Sequence, residues 1–245
     1  MNSELLYVFG TGNATVTNLY NTCFALRDGD EYFMVDAGGG NGILKILDNM
    51  QVPLEHIHHI FVTHAHGDHL GCAIEISKST KAPIFCIFEL ANYCLKMGAN
   101  AVGVNLGGEI KFEFGSALFL NAQHSSSCPD GSYGGCASSI LFNINGNKIL
   151  HLGDTSLHSD LKLYGDVYNP ETVLCPIGGF YTMGIDDAVI ASKMLNAKNI
   201  IPMHYNTFTP IRANAFEFKE KIENIKHQKC IVMDVNQEID IEKIN

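Results

Sequence analysis

The stretch Thr63-His64-Ala65-His66-Gly67-Asp68-His69-Leu70-Gly71 directly follows the apolar, β-branched run His58 to Thr63. Three imidazoles and one carboxylate stand within the six positions 64 to 69, at the point where a strand is expected to end and a loop to begin. If that loop turns sharply, these side chains can supply ligands to two neighbouring divalent ions. Gly67 and Gly71 are expected to permit the turn. Neutral imidazole suits zinc, iron, nickel or manganese, and the carboxylate adds a hard oxygen ligand.

Working outward, short apolar runs alternate with amphipathic segments, separated by Gly and Asn. Early strands are expected at Leu5 to Phe9, Thr22 to Leu26 and Glu31 to Asp36, the last two joined by Arg27-Asp28-Gly29-Asp30. Later strands are expected at Pro83 to Phe88, Glu109 to Phe114, Ala117 to Ala122, Ser138 to Ile144, Lys148 to Leu152, Thr172 to Cys175 and Asn199 to Pro202. Helices are expected at Gly42 to Met50, Cys72 to Ser79, Asp186 to Leu195 and Ala213 to Ile225. Asp186 and Asp187 suit a first helical turn, where carboxylates meet the positive end of the dipole. Strand-rich halves that each carry helices favour two sheets packed face to face with helices outside, an α/β four-layer αββα sandwich. One domain over residues 1–245 is the simplest division.

Of the 245 residues, 46% are hydrophobic and 17% charged, a globular composition. The net charge of −10, from 26 acids against 16 Lys and Arg, repels a phosphate backbone and disfavours broad nucleic-acid binding. The eight cysteines form no CxxC pair, so zinc-ribbon and thioredoxin-type motifs are excluded and reduced thiols in a cytoplasmic protein are expected. The first residues, MNSELLYVFGTGN, carry neither a basic stretch nor a long apolar run, so secretion is not expected. No stretch reaches the length of a membrane span.

The HxHxDH pattern after a strand resembles the metallo-β-lactamase superfamily, whose fold is the αββα sandwich. That resemblance calls for one further His, a bridging Asp and a last His, each at a strand end. The chain offers His124 after Ala117 to Ala122, Asp154 in His151-Leu152-Gly153-Asp154-Thr155, and His204 after Asn199-Ile200-Ile201-Pro202. Taken alone, His124 reads as a solvated loop residue and His204 as a core histidine. The resemblance implies one metal on His64, His66 and His124, a second on Asp68, His69 and His204, and Asp154 bridging them. It also implies a binuclear hydrolase in which a metal-bridging hydroxide attacks a small ester, lactone or phosphoester. Asp68 is expected to orient that nucleophile or carry its proton. Zinc is the expected metal, with manganese, iron or nickel as alternatives. The histidines at 56, 58, 59, 151, 158 and 227 match no ligand position.

Two stretches refine the resemblance. Gly153-Asp154-Thr155, Pro176-Ile177-Gly178-Gly179, Tyr181-Thr182-Met183-Gly184 and Ile201 to Phe208 are similar to metal-dependent hydrolases related to the ascorbate-phosphate lactonases, as are His124-Ser125-Ser126 and Tyr133-Gly134-Gly135. Val8-Phe9-Gly10-Thr11-Gly12 with Asn21-Thr22-Cys23-Phe24 instead resembles the start of ribonuclease Z. An RNA phosphodiesterase is therefore the alternative, opposed by the acidic charge and the lack of a His-Glu-Ala-Thr segment or basic arm. Di-iron oxidoreductases of this fold resemble HxExD, with a carboxylate where this chain has His66. Arg212, one of two arginines, follows His204 by eight residues and is the candidate contact for an anionic substrate. Tyr181, Thr182 and Met183 are expected either near the cleft or closing the core, and Cys72 and Cys128 as inert thiols. The acidic run Gln237 to Lys243 reads as a solvated edge. A homo-oligomer is plausible from the resemblance alone.

Overall fold

The computed structural model describes residues 4–11, 22–113 and 115–244, without the side chain of residue 242. Its strands in chain order are β1 (Leu5–Gly10), β2 (Cys23–Asp28), β3 (Glu31–Val35), β4 (Ile57–Phe61), β5 (Ile84–Ile87) and β6 (Ala101–Val104). They continue as β7 (Glu109–Phe112), β8 (Gly115–Asn121), β9 (Ser138–Ile144), β10 (Asn147–His151), β11 (Thr172–Pro176), β12 (Asn199–Met203), β13 (Lys229–Cys230) and β14 (Gln237–Asp240). Among the described residues these form two seven-stranded sheets, ordered β14-β1-β2-β3-β4-β5-β6 and β13-β12-β11-β10-β9-β8-β7. Each sheet starts antiparallel and becomes parallel where helices cross over, at β3 to β6 in the first and β10 to β13 in the second.

The helices are α1 (Gly42–Asn49), α2 (Ala73–Thr80), α3 (Phe88–Lys96), α4 (Asp160–Tyr168), α5 (Ile185–Leu195), α6 (Ala215–Glu223) and the short α7 (Ile241–Ile244). Period-two alternation explains the layering. Along β1, Leu6 and Val8 enter the core between the sheets, whereas Tyr7 and Phe9 enter a second core with Ile43 and Leu47 of α1 and Leu90 of α3. On the opposite flank Leu161 of α4, Leu195 of α5 and Phe218 of α6 join the larger core. Both faces of each sheet are thereby covered, which is the expected αββα sandwich.

Expected and observed elements agree within about two residues at most ends. Helices α3, α4 and α7 and strands β6, β13 and β14 lie in segments for which no element was expected. Within the run Gln237 to Lys243, the residues Gln237–Asp240 form the edge strand β14, which pairs antiparallel with β1 from Leu5↔Asp240 to Val8↔Gln237 and leaves Gln237 and Glu238 exposed, and α7 begins at Ile241. Gly12 and Asn21, part of the ribonuclease Z-like stretch, lie outside the described residues. No helix among those residues is long and apolar enough to cross a membrane.

The strand ends that matter lie on one rim. β8 and β10 are each antiparallel to β9, so they run the same way, and β11 and β12 continue parallel to β10. The residues after β8, β10, β11 and β12 therefore emerge along one edge of the second sheet. The ends of β3 and β4 meet that edge through polar stitches between the sheets. Ser138 donates its amide and hydroxyl to the Thr63 carbonyl at 3.0 and 2.8 Å, and His151 Nε2 lies 3.3 Å from Asp36 Oδ2.

Candidate metal centre

The HxHxDH loop is held by its backbone before its side chains matter. The His69 carbonyl accepts the Ala37 amide at 2.7 Å, and the His66 carbonyl accepts the amides of His69 and Leu70. Gly71 has φ +38°, and a Cβ there would lie 1.5 Å from the Gly38 carbonyl oxygen, so the loop closes on β3 only without a side chain. Gly67 has open space around its Cα and no left-handed φ, so the expected need for glycine holds at position 71 and not at 67. The Ala65 amide reaches Ser126 Oγ at 3.1 Å, tying this loop to the one that carries His124.

Seven side chains predicted as ligands meet at the rim. The ligand atoms of His64, His66 and His124 lie within 4.8 Å of one another, as do those of Asp68, His69, Asp154 and His204. His64 Nε2 and His66 Nδ1 are 3.0 Å apart. Asp154 faces both groups: its carboxylate lies 3.7 Å from His124 Nε2, 3.4 Å from His69 Nε2 and 3.1 Å from His204 Nε2. Asp68 Oδ2 stands 3.7 Å from His69 Nε2 and 3.9 Å from His204 Nε2. The second group is buried, while His66 and His124 are half-buried and mark the side open to solvent.

The donor chemistry fits divalent ions. Burial pushes the pKa of His64 well below the ordinary imidazole range and lowers those of His66 and His124, which keeps their lone pairs free. His69 goes the other way: burial lowers its pKa, but the charges of Asp154, Asp36 and Asp68 outweigh that and carry it well above the usual value. Burial likewise opposes ionisation of Asp154, yet His204 and His69 hold its carboxyl well below the usual range. The field at the second group thus favours a positive charge, whether proton or metal. His69 Nε2 and Asp154 Oδ1 are buried without a hydrogen-bond partner, at a cost on the order of 1–3 kcal/mol for each such atom, which metal coordination would offset.

Sequence reading missed the residues that aim the ligands. Asp36, fully buried just after β3, accepts from His69 Nδ1 at 2.7 Å and from the Thr63 amide at 2.9 Å. The Thr63 hydroxyl donates to the same carboxylate and lies 3.1 Å from His64 Nδ1. One carboxylate therefore orients an imidazole in each group and leaves both Nε2 atoms facing the centre. His151, which matches no ligand position, is a further buried partner of Asp36. The available signal was an acid closing an apolar strand before Ala37-Gly38-Gly39-Gly40.

Asp36, Phe180 and His204 have left-handed φ values of 54°, 58° and 56°. That conformation costs on the order of 1–2 kcal/mol for a residue with a side chain. Gly178 backs His204, since a Cβ there would lie 2.2 Å from the His204 carbonyl oxygen. Thr11 accepts the Tyr205 amide at 3.1 Å, so this member of the Gly10-Thr11-Gly12 stretch steadies the His204 loop.

Of the other candidates, Met183 closes the core while Tyr181 is half exposed. Cys72 and Cys128 are buried, and burial raises both thiol pKa values. Arg212 is not brought to the cluster. It is exposed after the turn Thr209–Ile211 and lines an open depression with Asn206, Ala213 and Asn214, none of which is among the seven.

The β-lactamase superfamily domain matches residues 32–205, a span that includes all seven residues. A UPF0173 metal-dependent hydrolase of Thermofilum pendens is 41% identical over 177 residues, which is 72% of this chain and 75% of that protein. One from Thermus thermophilus is 44% identical over 162 residues, 66% of this chain and 71% of its own length. Among solved structures, Igni18, a metallo hydrolase from the archaeon Ignicoccus hospitalis, superposes with a TM-score of 0.78 at 30% identity, covering 96% of this chain and 97% of that one. The short form of human tRNase Z superposes with a TM-score of 0.70 at 15% identity, covering 97% of this chain and 99% of that one, a likeness of fold alone. The chain belongs to the β-lactamase superfamily, among its UPF0173 metal-dependent hydrolases.

Proposed function

We propose that this metal-dependent hydrolase works with two divalent ions, one held by His64, His66 and His124 and the other by Asp68, His69 and His204, with Asp154 shared between them. The observation that carries this reading is the position of Asp154, whose carboxylate lies within 4 Å of a histidine from the first group and two from the second. When bound, such an ion pair supplies an acidified water as nucleophile and an electrophilic contact for the substrate oxygen. Zinc is the first choice for so imidazole-rich a site, with manganese, iron and nickel as alternatives.

The chain's own residues do the positioning. Asp36 and Thr63 fix the ring orientations of His69 and His64, and Ser125 Oγ lies 3.4 Å from His66 Nε2, away from the centre. Asp68 keeps a small exposed fraction, 9% of its side chain, at the boundary between the buried group and the opening. A carboxylate there can orient the attacking water through one oxygen and take up its proton. The substrate class is a small ester, lactone or phosphoester. The eight free cysteines agree with a reducing, cytoplasmic setting.

The test is turnover by the metal-loaded protein on a chromogenic phosphodiester, a lactone, a simple ester and a precursor tRNA. Turnover of a small substrate that is abolished by Asp68→Asn with both metals retained supports the reading. Cleavage of the tRNA alone would replace it with the RNA phosphodiesterase alternative.

A further inference from the structure

The segment between β11 and α5 is clasped by two of the loops that build the centre. Its Met183 amide donates to the Thr155 carbonyl at 3.1 Å, next to Asp154, and Gly178 packs on the His204 backbone. Between these anchors the chain turns outward at Phe180 and Tyr181, which are 76% and 49% exposed. Their rings meet edge to face with centroids 4.7 Å apart, and the Tyr181 ring lies 6.1 Å from that of Phe208, four residues beyond His204.

The outward turn of the two rings is not required by the core. Phe180 adds no buried core, and its left-handed φ of 58° is one that glycine adopts at no steric cost. An exposed aromatic residue kept in that conformation, beside a reactive centre, points to a ligand. Resting on the reading of the cluster as a hydrolytic centre, we infer that Phe180, Tyr181 and Phe208 form an aromatic shelf at its mouth that receives an apolar group on the acyl side of the substrate. The preferred substrates are then esters or lactones whose acyl part carries an alkyl chain or ring large enough to cover two aromatic faces, rather than acetyl-sized or highly charged ones.

Two readouts on metal-loaded protein test this. The first is the ratio of kcat/KM for 4-nitrophenyl octanoate over 4-nitrophenyl acetate. The second is calorimetric binding of octanoate against acetate, which needs no turnover. The wild-type protein should favour the longer chain by about tenfold or more in both. In the F180G/Y181S variant both ratios should fall to within about twofold of one, with wild-type metal content. F180G alone should be at least as thermally stable as wild type, because glycine relieves the left-handed backbone.

Octanoate bound no tighter than acetate by the wild type, or a variant that keeps the wild-type binding ratio, overturns the shelf even if hydrolysis is confirmed. Octanoate selectivity that depends on the pair, with no ester cleaved, keeps the shelf and overturns the hydrolytic reading instead. A variant that dissociates from dimer to monomer in sedimentation and keeps the ratio makes the surface a subunit contact and removes the proposal.

Discussion

The two halves of the sandwich build the same centre in opposite ways. The first half places four of the seven side chains, His64, His66, Asp68 and His69, on one loop after β4. The second half places His124, Asp154 and His204 on three loops after β8, β10 and β12, far apart in sequence. Each group of ligand atoms draws on both halves, so neither is complete until the sheets pack. A metal centre of this kind reports on tertiary structure, and its two contributions should fail differently when damaged.

The largest effect is expected at the residue that faces both groups. Asp154→Asn should lose both metals together and reduce turnover to about a thousandth or less. Retention of one full equivalent by that variant, read by elemental analysis, would show that the carboxylate is not shared. His124→Ala, which comes from the same half but touches one group, should first lose about one of the two metals. Equal loss of both would break the assignment of ligands to groups.

A smaller effect is expected from Asp36, which acts on both groups through rings it does not share with solvent. Asp36→Asn should weaken metal affinity about 10- to 100-fold, measured by competition with a chelator. Its pH signature follows from its environment. Burial opposes ionisation of Asp36, but His69 and His151 hold its carboxyl well below the usual range. The folded protein therefore stays ionised while the unfolded chain protonates near about pH 3.9, so the stabilisation is present above that pH and lost as the pH falls. The difference in Tm between wild type and Asp36→Asn, without metal, should be largest between about pH 5 and 6 and shrink below about pH 4, as the unfolded carboxylate takes up its proton. It should also decline above about pH 6.5, where the unfolded His69 has already lost the proton that the folded pair retains. A difference that grows in acid would contradict the ion-pair account.

How much of this was legible in sequence follows the same division. The loop from Thr63 to Gly71 announces itself because its ligands are neighbours and follow an apolar strand. His124 and His204 carry no local signal, and only their order after expected strands linked them to the loop. Asp36 was passed over because a single acid at a strand end looks like any turn residue until β3 and β10 are brought together. Helix α3 was hidden because Phe88 and Leu95 are exposed beside buried Leu90, Ala91 and Cys94, which blurs the apolar period. In α4, Gly165 reads as a helix breaker, yet a Cβ there would lie 2.4 Å from the Met194 carbonyl oxygen, so it serves close packing on α5. Strand β6 is a four-residue edge with little buried surface and a glycine at position 103, which leaves almost no pattern to read.

Acid should separate the groups more gently. His64, His66 and His124 are held low by burial, so protons compete weakly with metal until the pH falls below the ordinary imidazole value of about 6.5. The turnover profile should fall only on the acid side of that value. Turnover that shows no fall at any acid pH at which the protein stays folded would argue against imidazole ligation. The smallest effect is expected at Arg212, which lies outside the cluster. Arg212→Ala should raise KM by a few-fold for anionic substrates and leave neutral ones unchanged. An equal change for both would assign it to the surface.

The central claim is that both halves close around two ions through Asp154. Elemental analysis of wild type and Asp154→Asn, purified side by side without chelators and confirmed as folded by circular dichroism, tests it most directly. The account predicts about two divalent ions per wild-type chain and nearly none in the variant. A folded wild-type chain that holds at most one ion even after metal is supplied, or a variant that keeps two, would contradict it.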